Sequence, residues 1–274
     1  MQWIEIIVLA LIQGLTEFLP VSSSAHLLLV PLFTDWPDQG LAFDIAVHFG
    51  SLLAVIFYFR DDLIKLARAW LGSIIGAGMS REARLGWAII WATIPVGIVG
   101  LLAKDIIETS MRTGYFMGYS LIVFGLLLGY ADWRYQRKFA GNPARANSDE
   151  YHLSKTQIVV IGLAQALALI PGTSRSGITI TAALLMGVNR EASARFSFLL
   201  SIPVIVLATM LQSVELVSEP LPVGWGKLLA ATAISAVSAY LCIRVFLALI
   251  RRIGMQPFVL YRLLLGAYLL YCFY

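Results

Sequence analysis

The chain has 274 residues, 59% of them hydrophobic and 13% charged, with a mean hydropathy of +0.81. Soluble domains carry about 25% charged residues, so this composition excludes an ordinary soluble domain and defines an integral membrane protein. The net charge of +4 sits in clusters that suit headgroups and topology, not nucleic acid. Two cysteines without metal spacing exclude a disulfide framework.

From the N-terminus, an apolar stretch over about residues 3–33 is interrupted by QGLTEFLPVSSSAH, residues 13–26. Residues 1–15 are too short before Pro20 to span. With no basic n-region and no A-x-A-like site, the segment reads as no removable signal peptide. Three apolar spans follow near 41–59, 86–103 and 115–133. A hydrophilic connector at about 134–155 leads to a second interrupted stretch, about 155–188, containing LALIPGTSRSGITITAALLMG at 167–187. Three further spans are expected near 193–213, 226–248 and 257–273. Each approaches the roughly 20 helical residues that cross the hydrocarbon, and the alternating pattern of a barrel is absent.

Basic residues gather at three places: Arg60, Lys65, Arg68, Arg81 and Arg84; Arg134, Arg137, Lys138, Arg145 and Lys155; and Arg251 with Arg252. Lys104, Arg112 and Lys227 stand apart in the intervening loops. The positive-inside rule places the rich clusters in the cytoplasm and both termini outside.

The chain resembles itself. YFMGYSLIVFGLLLGY at 115–130 matches PFVLYRLLLGAYLLYC at 257–272, with Phe116 over Phe258 and Tyr119 over Tyr261. LGWAIIWATI at 85–94 matches VGWGKLLAAT at 223–232. Pro20 on Pro171 sets Ser22 and Ser23 over Thr173 and Ser174, and Ser24 over Arg175. These matches predict a repeat, with copy one at about 1–138 and copy two at about 152–274 in a single membrane domain. Each copy holds a broken hairpin and three spans; three is odd, so the second copy is inverted. The fold class is an all-α integral membrane protein with six full spans and two re-entrant hairpins. In inverted repeats with interrupted helices, a site forms where the broken helices meet.

At the second tip, Ser174 is a good N-cap for a helix starting near Arg175. That helix start, with Arg175 and the hydroxyls of Thr173, Ser174 and Ser176, makes an anion cradle. Gly172 and Gly177 let backbone approach closely. At the first tip, Gln13 and Glu17 share a helix face, Ser22, Ser23 and Ser24 cap the next helix, and His26 lies in its first turn. A carboxylate, an imidazole, several hydroxyls and an arginine supply the parts of phosphoryl transfer. A lipid-phosphate flippase or anion transporter on the same scaffold is the alternative; Glu17 beside His26 argues for hydrolysis. Asp44, His48 and Arg195, near span ends, are candidates to line an entrance, with packing at interfaces the expected role; Glu5 and His152 are expected at interfaces. Arg244 and Arg262 are expected to snorkel or to pair within the bundle, and Gln165 to answer Gln13 across the repeat.

QGLTEFLPVSSSAH and PGTSRSG resemble the two signature motifs of the bacterial undecaprenyl-diphosphatase (bacitracin-resistance) family, and the similarity extends to GSLLAV at 50–55 and FSFLLSIP at 196–203. The resemblance implies removal of one phosphate from undecaprenyl diphosphate, recycling the lipid carrier for cell-wall synthesis. It implies a divalent cation (Mg2+ or Ca2+), an inner-membrane location with the site open to the periplasmic face, and a homodimer among membrane lipids. Carried over by motif position, Glu17 is a metal or water handler and Gln13 stands where many members have glutamate, which puts the metal ligands in doubt. His26 is nucleophile or general acid, Ser23 an alternative nucleophile, and Arg175 grips the diphosphate with Ser174 and Ser176.

Overall fold

The computed structural model describes residues 1–34, 36–111, 113–139, 149–216 and 224–273. Arg112, Arg145 and the middle of the 134–155 connector lie outside the described residues, as does the side chain of Lys104. The described chain is helical. In order it forms α1 (Trp3–Thr16), α2 (Ser23–Phe33), α3 (Leu41–Tyr58), α4 (Arg60–Ile74), α5 (Arg81–Ser110) and α6 (Gly114–Phe139). After a short 3-10 turn at Glu150–His152 come α7 (Lys155–Ala166), α8 (Arg175–Leu185), α9 (Arg190–Leu216), α10 (Trp225–Ile253) and α11 (Gln256–Phe273).

Six of these, α3, α5, α6, α9, α10 and α11, are long and apolar enough to cross a membrane, and they cover the six expected spans. Their outward faces are apolar: Leu101 and Leu102 are 72% and 81% exposed, which in a membrane is lipid contact and not a wetted patch. Both interrupted stretches break where proline removes a backbone donor. α1 stops at Thr16 and α2 starts at Ser23; α7 stops at Ala166, a 3-10 turn covers Leu167–Leu169, and α8 starts at Arg175.

One element was not expected. Residues 60–74 form α4, with Asp61 and Asp62 in its first turn. Its charges oppose an apolar face that packs on α5, so it is an amphipathic helix, too polar to cross.

The hairpin helices pack on the other half of the chain. α1 lies on α10, and α7 lies on α5; α3 likewise lies on α10, and α9 on α5, while α3 meets α9 and α6 meets α11. Glycines make the closest of these approaches. A Cβ at Gly14 would lie 2.5 Å from the Ser235 carbonyl of α10, and one at Gly162 would lie 2.8 Å from the Ala92 Cα of α5. Small residues allow such contact, which dispersion and backbone proximity reward inside lipid. Gln165 follows Gly162 by the interval at which Glu17 follows Gly14. It also lies nine residues ahead of the positive-φ Ser174, as Gln13 lies nine ahead of Ser22, and both glutamines are fully buried.

Ion pairs tie the helices to one another. Arg190 Nε donates to Asp132 Oδ1 at 2.6 Å, and Arg251 pairs with Glu191. Arg195 binds Glu150 at 2.5 Å and Asp62 at 2.8 Å, the packing role expected of it. Glu5 completes a capping box with Gln2 at the start of α1, and His152 pairs with Asp149. Arg244 is exposed on the bundle surface.

Candidate active site

Each break ends in a serine with positive φ: Ser22 at 73° and Ser174 at 68°. Left-handed backbone costs a non-glycine residue about 1–2 kcal/mol, so packing must hold these elbows in place. Each serine sits one residue ahead of a helix, which sets Ser23 opposite Arg175 as the first residues of α2 and α8. The expected register, Ser24 over Arg175, is off by one.

Those two first residues converge on one carboxylate. Arg175 Nη2 donates to Glu17 Oε1 at 3.1 Å, and Ser23 Oγ donates to Glu17 Oε2 at 2.7 Å. Gln13 Nε2, one helical turn before Glu17, donates to the same Oε2 at 3.0 Å. The Arg175 and Glu17 side chains are only 11% and 9% exposed. At that burial their attraction is weakly screened, and removal of either partner strands a charge. Arg175 Nη1 donates to the Ser197 carbonyl of α9 at 3.2 Å, and the guanidinium lies over the Phe18 ring at 5.9 Å. Two anchors fix its plane.

The hydroxyls divide in their partners. Ser174 caps α8 by accepting the Gly177 N–H at 3.2 Å, and its Oγ lies 3.2 Å from that of Ser176. Ser176 Oγ reaches across to the Leu19 carbonyl at 2.9 Å, so one elbow is bonded to the other. Thr173 is fully buried with Oγ1 at 3.1 Å from Ser120 on α6. Gly172, with φ of 86°, leaves no room for a Cβ, which would lie 2.8 Å from the Met117 carbonyl. Ser22 Oγ is 3.1 Å from Ser24 Oγ, and Ser24 is exposed.

His26 has a defined tautomer. Its Nδ1 lies 2.7 Å from the Ser22 carbonyl, which can only accept, so Nδ1 carries the proton of the neutral ring. Nε2 then accepts from the Tyr261 hydroxyl at 2.5 Å, with the two rings stacked 5.5 Å apart. Tyr261 was marked in the sequence only as the counterpart of Tyr119. A net hydrogen bond is worth about 0.5–1.5 kcal/mol. Tyr261→Phe is therefore expected to change the turnover rate about two- to tenfold while leaving KM nearly constant. A ¹⁵N spectrum of His26 should show Nε2 moving on substitution.

His48 is a second missed residue. Expected to pack at an interface, it points Nε2 at Glu17 Oε2 from 3.9 Å, with Nδ1 at 2.7 Å from the Asp44 carbonyl. Being an ionisable group inside a span, it was the available signal; nothing in the sequence said which helix would face α1.

Fold and site together define a polytopic helical membrane protein in which two distant broken hairpins share a buried arginine–carboxylate pair beside an imidazole. The chain belongs to the family described as bacitracin resistance protein BacA, whose model matches residues 6–268. It is 52% identical over 275 residues to a protein of Thioalkalivibrio sulfidiphilus named undecaprenyl-diphosphatase, covering 100% of both chains. It is 51% identical over 269 residues to one of the same name from Campylobacter concisus, covering 98% of both. A third, named undecaprenyl-diphosphatase 2, from Stutzerimonas stutzeri, is 53% identical over 100% of this chain and 99% of its own.

Proposed function

We propose that this protein hydrolyses undecaprenyl diphosphate to undecaprenyl phosphate and inorganic phosphate, recycling the lipid carrier and conferring bacitracin resistance. The observation that carries the site assignment is the convergence of Ser23 and Arg175, from two separate elbows, on Glu17. In the reaction the bond between the bridging oxygen and the terminal phosphorus breaks. The lipid monophosphate leaves on that oxygen, and an oxygen that comes ultimately from water joins the terminal phosphorus.

Roles follow from the contacts. Arg175 and the amino end of α8 neutralise charge on the phosphoryl oxygens, as oriented donors do in phosphoryl transfer. Ser174, Ser176, Thr173, Gly172, Ser22 and Ser24 shape the cradle; of the second elbow's hydroxyls, Thr173 and Ser176 are fully buried and serve it from behind. Ser23 and His26 stand on the same face of α2 as candidate nucleophiles; to attack or to protonate the leaving oxygen, His26 must release the Tyr261 hydroxyl from Nε2, and the acid role also requires a proton there.

A divalent cation, Mg2+ or Ca2+, fits the donors near Glu17. Gln13 is fully buried, and its Oε1 has no hydrogen-bond partner, an orphan that costs free energy unless something binds it. Such hard cations take carboxylate and amide oxygens. No group of three or more His, Cys, Asp or Glu residues forms a metal cluster among the described residues, so Glu17 and Gln13 would hold the ion with few protein ligands and leave the rest to water and phosphate. When bound, it would offset the charge of the diphosphate.

The same proposal includes an inverted repeat, a bacterial inner-membrane location, a site opening to the periplasmic face and a homodimer. The exchange of packing partners, α1 on α10 against α7 on α5, supports the repeat, and the basic clusters support the orientation. The test is phosphate release from undecaprenyl diphosphate by the purified protein in detergent. Release should fall at least tenfold on chelation and return with Mg2+ or Ca2+. Transport of the lipid phosphate in liposomes without hydrolysis would sink the enzymatic reading.

A further inference from the structure

Arg262 lies in α11 and is fully buried. Of the two expectations for it, snorkelling or pairing within the bundle, it meets the second, but without an acid. No carboxylate among the described residues forms an ion pair with it. Instead its guanidinium donates to three backbone carbonyls. Nη1 binds Pro20 O at 3.2 Å, Nη2 binds Gly172 O at 3.1 Å, and Nε binds Leu121 O of α6 at 3.3 Å.

The first two acceptors occupy matching places. Pro20 and Gly172 each precede a positive-φ serine, Ser22 and Ser174, by two residues. Both carbonyls belong to backbone released from helical pairing at a break, where an unsatisfied group inside the membrane is costly. Gly177, in the first turn of α8, leaves the room: a Cβ there would lie 2.9 Å from Arg262 Nη1. One rigid, planar fork thus spans both elbows, which an ammonium on a flexible stem does not reproduce.

We infer that Arg262 is a positioning residue for the hydrolytic reaction: it clamps the two elbows to each other and so sets the distance between Glu17 with Ser23 on one side and Arg175 on the other. Its role follows from the three carbonyls alone; the expected kinetic signature rests on the diphosphatase reading above. Because misplacement of reacting groups by about 1 Å costs about 10²-fold in rate, a loosened clamp appears in kcat.

The experiment compares Arg262→Met and Arg262→Lys with the wild type as detergent-purified, monodisperse protein, assayed on undecaprenyl diphosphate. Arg262→Met is expected to lower kcat about 30- to 100-fold with KM changed less than about threefold. Arg262→Lys, which keeps the charge and one or two of the bonds, should recover part of that loss. A folded Arg262→Met with wild-type kcat overturns the inference, and so does a loss confined to KM. If the Met variant does not fold, the Lys variant decides: a kcat within twofold of wild type overturns the clamp. Glu17→Ala run alongside separates the two readings, since full activity in that variant removes the site assignment, whereas inactivity there with an unaffected Arg262 variant removes only the clamp.

Discussion

Arg175→Ala is expected to lower phosphate release by about a thousandfold while the protein stays folded. The loss follows from what the side chain does: among the described residues it is the one arginine or lysine bonded to the site carboxylate, held by Glu17 at 3.1 Å and by the Ser197 carbonyl at 3.2 Å. Removing one preorganised donor to developing charge costs about 10²–10³ in kcat, and here a full charge leaves with it. The fold should survive because the elbows are joined elsewhere, through Ser176 to Leu19 and Arg262 to both breaks. Glu17 also keeps Ser23 and Gln13 as donors. Arg175→Lys should fall between the two, since it retains the charge and loses the fork. Phosphate release and elution volume, measured on the same preparations, check this; unimpaired release by a folded Arg175→Ala would defeat the assignment.

Glu17→Gln should cost about 10²–10³ in kcat for a different reason. The replacement has the same shape, so packing is preserved, yet three donors now face one amide. Arg175 Nη2, Ser23 Oγ and Gln13 Nε2 all point hydrogens at the carboxylate oxygens, and an amide offers one acceptor and brings two donors of its own. The guanidinium is left without its buried counter-charge, and an oxygen ligand for a divalent cation is lost. The variant should therefore also need more added Mg2+ or Ca2+ to reach half of its residual activity. A metal titration of phosphate release measures both effects; an unchanged rate and titration would remove Glu17 from the chemistry.

Much of the site was legible because the groups concerned are expensive in a membrane. Glu17, His26 and Arg175 are ionisable residues inside apolar stretches, and the prolines beside them mark where helix must stop. The breaks fell where expected, and Ser174 caps α8 as its position suggested. The register between the elbows did not follow, since the alignment was anchored on the prolines and Pro171 stands three residues ahead of its positive-φ serine while Pro20 stands only two. Nor did the partners of Arg262, His48 and Tyr261. Each is an ordinary polar residue on a spanning helix, and its role depends on which way that helix is rotated.

By itself, the sequence determined the helical membrane class, the six spans, the two interruptions and the chemistry at each, since hydrophobic length, proline geometry and the cost of buried charge are local properties. Tertiary structure alone decided that Ser23 and Arg175, both first residues of their helices, meet on one carboxylate, that Tyr261 occupies His26 Nε2, and that one guanidinium bolts both elbows. Those contacts join helices far apart in the chain, and the rotation and depth that create them come from side-chain packing summed over the whole bundle.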